Sequence, residues 1–113
     1  MSTTCTVKDG VGLVIPGGPL LAATADDFRA TFGNWLKAEA GLRHVVLDMA
    51  KVDALDSSGL GAIVAALKRV AERGGDLKIA RLGPRARLVF EITRSHKVFE
   101  IHDTVEEALA AAS

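Results

Sequence analysis

The sequence predicts an α/β fold: a mixed central sheet of about five strands, an antiparallel N-terminal hairpin followed by parallel β-α units, with about four helices. Three observations carry this. Two β-branched runs, Thr4 to Lys8 and Val11 to Ile15, flank Asp9-Gly10, the dipeptide a two-residue hairpin turn prefers. Beyond them, short apolar runs alternate with segments whose apolar residues recur at helical spacing, so the later strands are joined by crossovers and run parallel. One of those runs, Val45-Val46-Leu47, is apolar without alternation, as in a strand covered on both faces.

Each element has its own warrant. Pro16-Gly17-Gly18-Pro19 stops the second strand, because each proline removes a donor and each glycine loosens the chain. A loop then runs to Thr24. Thr24 with Asp27 resembles a capping box, and Phe28, Phe32, Trp35 and Leu36 follow on one face, giving a helix over 25–40 closed by Gly41. Trp35 on that stripe reads as core. Arg43 to Met49 is the next strand. Leu60, Ile63, Val64, Leu67 and Val70 form the second helix, which Arg73-Gly74-Gly75 ends, the cations suiting a helix C-terminus. Leu77, Ile79 and Leu82 mark the fourth strand. Pro84 opens a third helix carrying Leu88, Val89 and Ile92, which runs out near Arg94-Ser95. Val98 to Ile101 is a short fifth strand. Asp103 or Thr104 then caps a last helix, answered by Glu106 or Glu107, with Val105, Ala108, Leu109 and Ala112 on its buried side.

Size and charge exclude whole classes of function. With 113 residues, 49% of them hydrophobic, the chain fills one core and is expected to be a single domain over 1–113. Lysine plus arginine and aspartate plus glutamate each total 14, so nucleic-acid binding lacks its electrostatic basis. Cys5 is the lone cysteine, without a partner for a disulfide or a thiol metal cage. No run approaches the roughly 20 apolar residues of a membrane helix, and no signal-peptide pattern precedes the hairpin. The expected location is the cytoplasm, with no direct membrane insertion.

Against this scaffold, Asp53-Ala54-Leu55-Asp56-Ser57-Ser58-Gly59-Leu60-Gly61 reads as a site. It lies between a buried strand and a helix, where the first N–H groups lack intrahelical partners and an aspartate or serine oxygen can accept from them. A negative group there, Asp56 or a phosphate on a serine, gains about 0.3–1 kcal/mol from the helix end when exposed. Gly59 and Gly61 lower helix propensity but admit the close approach of another backbone or a partner.

Other chemistries are missing. Gly59-Leu60-Gly61 continues as Ala62-Ile63-Val64, which is no dinucleotide fingerprint, and there is no phosphate-loop ending in Gly-Lys-Ser/Thr. Ser57 and Ser58 have a glycine on the C-terminal side alone, unlike a hydrolase nucleophile elbow. His44, His96 and His102 are scattered, supporting neither a triad nor a metal site. Arg81, Arg85 and Arg87 read as a solvated helix face. No catalytic, metal-binding or cofactor-binding residues are expected.

The same residues resemble the STAS family, the sulfate transporter and anti-sigma-factor antagonist domain, over nearly the whole chain. Asp56-Ser57-Ser58-Gly59-Leu60-Gly61 is similar to the family's signature, and Gly74-Gly75-Asp76-Leu77-Lys78 to the segment entering its next strand. The tail from Val89-Phe90-Glu91-Ile92-Thr93 through Val98-Phe99-Glu100-Ile101 to Glu106-Glu107-Ala108-Leu109 matches its C-terminal part. The resemblance implies a non-enzymatic switch of the stand-alone bacterial anti-sigma-factor antagonist type. In those members the serine after the aspartate, here Ser57, is phosphorylated by an anti-sigma factor that is also an ATP-dependent kinase. The unmodified form binds that anti-sigma factor and frees the sigma factor, and a PP2C-type phosphatase resets the cycle. Partner contacts are then expected at Asp56, Ser57, Ser58, Gly59 and Leu60, with Leu21 and Thr24 beside them, and the chain is expected to be a monomer or weak dimer.

Two departures stand out. Where the phospho-switch class often has a Gly-Glu-Leu-Asp-like run, this chain has Gly18-Pro19-Leu20-Leu21, so both acids are replaced. Where the family often has Thr-Gly-Leu, it has Thr93-Arg94-Ser95. The first departure motivates an alternative: an unphosphorylated STAS scaffold or adaptor, for example the small subunit of a lipid-transporting ABC system or a module of a sensory complex.

Overall fold

The computed structural model describes residues 2–112. Strands β1 (Thr3–Lys8) and β2 (Val11–Pro16) form the expected hairpin, with Lys8 opposite Val11. Asp9 and Gly10 take φ of 52° and 81°, as a primed turn requires at both central positions. β3 (His44–Asp48), β4 (Asp76–Ala80) and β5 (Ile101–His102) follow, giving a sheet ordered β1-β2-β3-β4-β5, antiparallel between β1 and β2 and parallel elsewhere.

Helices α1 (Ala22–Ala38), α2 (Ser57–Ala71), α3 (Pro84–Ile92) and α4 (Val105–Ala112) complete the fold. The main core joins Phe28, Phe32 and Leu36 of α1 to Leu60, Ile63, Ala66 and Val70 of α2, over Val14, Val45, Leu47, Leu77 and Ile79 of the sheet. Val11, Val46 and Ala80 make a second core with Ala108 and Ala112 of α4. β3 therefore sends Val45 and Leu47 one way and Val46 the other, which is why its run shows no alternation.

Several boundaries differ from expectation. α1 starts at Ala22, three residues before the position predicted, because Thr24 is not the cap: its hydroxyl accepts from the Leu21 N–H at 3.0 Å and donates to the Pro19 carbonyl at 2.8 Å. The helix also ends at Ala38, with Glu39 rather than Gly41 closing it. The last strand is Ile101–His102, not Val98 to Ile101, since residues Ser95–Lys97 wind into a 3-10 turn and leave Val98 exposed. That turn follows Arg94 at φ 59°, a left-handed conformation that glycine adopts without the cost a side chain brings.

On α3 the buried face is Ala86 and Phe90, while Leu88 and Ile92 are 56% and 73% exposed. Phe90 packs on Phe99, ring centroids 5.6 Å apart, so the aromatic pair outcompetes the aliphatic stripe for the core. The Arg73 guanidinium does not serve its own helix. It reaches the C-terminal end of α1, donating to the carbonyls of Leu36 (2.6 Å), Glu39 (2.7 Å) and Leu42 (3.1 Å), and so satisfies acceptors that helix ends leave open.

Candidate functional site

The polar junction is built by pairing two short segments that each lead into a helix. Leu20 and Leu55 form a parallel bridge: the Leu20 N–H donates to the Ala54 carbonyl at 3.0 Å, and the Asp56 N–H to the Leu20 carbonyl at 3.3 Å. Both leucines are buried. α1 and α2 thus leave the sheet side by side, N-termini together.

Asp56 is the N-cap of α2, and its two carboxylate oxygens are divided between the helices. Oδ1 accepts from the Gly59 N–H at 2.9 Å, and Oδ2 accepts from the Ala22 N–H at the start of α1 at 3.0 Å. The Gly59 N–H holds this carboxyl below its ordinary value of 3.8; burial pushes the other way, and the Ala22 and Ser58 N–H groups add to the lowering. The carboxylate is therefore charged throughout the neutral range. Ser57, the first residue of α2, and Ser58 are exposed beside it.

The two glycines of the signature do different things. A Cβ on Gly59 would stand 2.0 Å from the Leu20 carbonyl oxygen, whereas one on Gly61 would meet nothing nearer than the Arg29 guanidinium at 3.4 Å. Gly59 is what lets the helix start lie against the Leu20 backbone. Gly61 has no such duty, contrary to the equal role the sequence suggested.

Of the residues expected to meet a partner, Ser57 and Ser58 are open to solvent and Asp56 and Leu21 partly so. Gly59 is buried and Leu60 is 8% exposed, the latter turned into the core. The Thr24 hydroxyl is committed to its own loop. Ser57 and Leu60 border an open hollow of about 460 Å³ between α1 and α2, with Arg29, Gly61, Val64, Ala65 and Lys68. Arg29 was not expected there; nothing in its spacing distinguishes it from a solvated surface cation.

A second polar feature lies at the ends of β3 and β4. Asp48 is 1% exposed, and its carboxylate receives the Arg81 guanidinium through Nε at 3.0 Å and Nη2 at 2.5 Å. Arg81 reaches it from a left-handed backbone at φ 56°. The arginine that read as part of a solvated face is thus the counter-charge of a buried acid. Among the described residues, no group of three or more His, Cys, Asp or Glu could hold a metal ion.

The mixed five-strand sheet with its four helices agrees with solved STAS structures, and the model of the STAS domain matches residues 3–108. This chain belongs to the STAS domain family. BtrV of Bordetella bronchiseptica, named as a candidate anti-sigma factor antagonist, is 30% identical over 111 residues, 98% of this chain and 94% of BtrV. A crystal structure of an anti-sigma factor antagonist from Mycobacterium paratuberculosis superposes with a TM-score of 0.86 at 25% identity, covering 98% of this chain and 92% of that one. SpoIIAA of Bacillus, solved in its phosphorylated form, shares the fold at a TM-score of 0.74 and 17% identity, covering 99% of this chain and all of that one. No described helix of this STAS chain is long and apolar enough to cross a membrane.

Proposed function

We propose that this STAS domain is a protein-binding switch, an anti-sigma-factor antagonist that engages an anti-sigma factor while Ser57 is unmodified and lets go when Ser57 is phosphorylated. The observation that carries this reading is the position of Ser57: an exposed hydroxyl on the first residue of α2, next to a carboxylate whose oxygens are already taken by two backbone N–H groups.

The physics of the switch follows from charge. A phosphoryl group adds about −1.5 to −2 charges at pH 7. On Ser57 that charge stands beside the Asp56 carboxylate at the cap, and the helix end, whose first turn carries no further acid, favours an anion. A docked partner feels it as repulsion and as bulk at the centre of the contact, where a few groups hold most of the binding energy. In this scheme the anti-sigma factor is itself the ATP-dependent serine kinase, and a PP2C-type phosphatase restores the binding form. Asp56 acts through position, fixing the helix mouth that presents Ser57.

The reading is tested by incubating the protein with its cognate kinase and ATP and mapping the label by mass spectrometry. Label at Ser57, absent in Ser57→Ala, is expected. Label elsewhere, or label that persists in Ser57→Ala, overturns it.

One observation favours a second reading, an unmodified scaffold or adaptor. Leu21, half-buried at the mouth of α1, gives the neighbourhood of Ser57 an apolar edge suited to a permanent contact. Equal retention of the partner by Ser57→Ala and Ser57→Asp would support it.

A further inference from the structure

Between α1 and α2 runs a furrow whose walls are cationic. Its near end is the hollow beside Ser57, bordered by Arg29 and Lys68. A narrow neck of about 70 Å³ lies between Arg29 and Arg69. The far end, about 510 Å³, has Lys37, Arg69 and Arg73 around it, with Glu72 as its one acid. Arg29 borders the first two spaces and Arg69 the last two, so the two guanidiniums stand between the open ends, over a neck that also touches the core side chains Phe28, Phe32 and Ala66.

The arginines lie across the furrow because glycines leave them room. The Arg29 guanidinium sits over Gly61 of α2, and the Arg69 guanidinium over Gly33 of α1, 3.4 Å and 3.3 Å from where a Cβ would stand. Arg73 is spent on carbonyls of α1 and the loop after it. The side chains of Arg29, Lys37, Lys68 and Arg69 make no hydrogen bond or ion pair within the described residues. Four unpaired cations thus gather on one face of a chain whose net charge is zero, above half-buried Val64 and Ala65.

We propose that this furrow seats an acidic, amphipathic helical segment of the protein partner, with Ser57 at its mouth. The inference rests on the reading of Ser57 as the switched residue and names the chemistry of what it releases. An apolar stripe on the segment meets Val64 and Ala65, and its carboxylates meet Arg29, Lys68 and Arg69. The cations draw an acidic partner in, and such steering weakens with salt. A phosphoryl group on Ser57 then acts twice: it repels the segment and offers Arg29 an anion from within the same chain.

The test is a titration of isotope-labelled full chain, followed by amide NMR, with a synthetic amphipathic peptide of about four helical turns bearing a Leu stripe and a Glu face. Saturable shifts centred on Gly33, Gly61, Ala65 and Arg69, weakening as salt rises, are expected. Arg29→Gln and Lys68→Gln should each bind about two- to fivefold more weakly, as should Ser57→Asp, while their thermal unfolding stays that of the parent. Shifts centred on Arg85 to Val98, equal binding of a matched peptide with Lys for Glu, or no saturable binding would overturn the proposal. The peptide needs neither kinase nor nucleotide, so this result and the labelling of Ser57 can fail separately.

Discussion

The Asp56 carboxylate at the start of α2 accepts a hydrogen bond from the Ala22 N–H at the start of α1, 3.0 Å away across 34 residues of sequence. One side chain thereby locks two helix mouths into one surface, and Ser57 projects from that surface. Asp56→Ala should lower Tm and broaden the amide signals of both first turns. Asp56→Asn should do less, since an amide oxygen can still accept from one of the two N–H groups.

The pH dependence of that lock has a definite sign. The carboxyl is held below its unfolded value of 3.8, so its contribution is complete above that value and is lost as pH falls through the lower, folded one. The Tm difference between the parent and Asp56→Asn should be constant from neutral pH down to about pH 5 and shrink below pH 4, as both forms become neutral. Thermal melts across that range check it.

Gly59 and Gly61 should part company on substitution. Gly59→Ala forces a methyl into the Leu20 carbonyl and should destabilise by about 1–3 kcal/mol or more, because the neighbour is backbone and cannot swing aside. Gly61→Ala should leave stability unchanged or raise it by up to about 1 kcal/mol through helix propensity. Urea unfolding of the two variants measures both.

Removing the counter-charge of Asp48 should be felt across the C-terminal ends of the strands. Arg81→Met leaves a carboxylate at 1% exposure without its bidentate partner and should lower Tm by roughly 5–10 °C at neutral pH. Adding Asp48→Asn should restore part of that loss, because the buried group is then neutral.

Cys5 should be a poor nucleophile. Burial pushes its thiol from 9.0 up to about 11, which cuts the thiolate fraction at pH 8 about a hundredfold relative to an ordinary cysteine of that starting value. Alkylation by iodoacetamide should be slower in the native protein than in urea, by less than that factor because a more basic thiolate is intrinsically more nucleophilic.

What the residues disclosed on their own depended on the range of the interaction. The hairpin was legible because Asp9-Gly10 encodes its turn locally, and the cover on both faces of β3 because Val45-Val46-Leu47 repeats without a break. The start of α1 was not: its N-terminal N–H group is satisfied by Asp56, a contact no local window contains, so Thr24 looked like the cap. The α3 stripe misled for a related reason, since the partner that buries Phe90 is Phe99, which lies beyond the Ser95–Lys97 turn in the stretch that the sequence read as strand. At the site, Asp56 and Ser57 stood out as a helix start, whereas Arg29 and Arg81 looked like surface cations until the fold set them against Gly61 and Asp48.

The central claim is that charge on Ser57 decides whether the partner stays. Its most direct test is the affinity of the cognate anti-sigma factor for the parent, Ser57→Ala and Ser57→Asp, measured by calorimetry at one ionic strength. The account expects Ser57→Ala to bind within a few-fold of the parent and Ser57→Asp to lose roughly tenfold or more. Equal affinity of all three would contradict it.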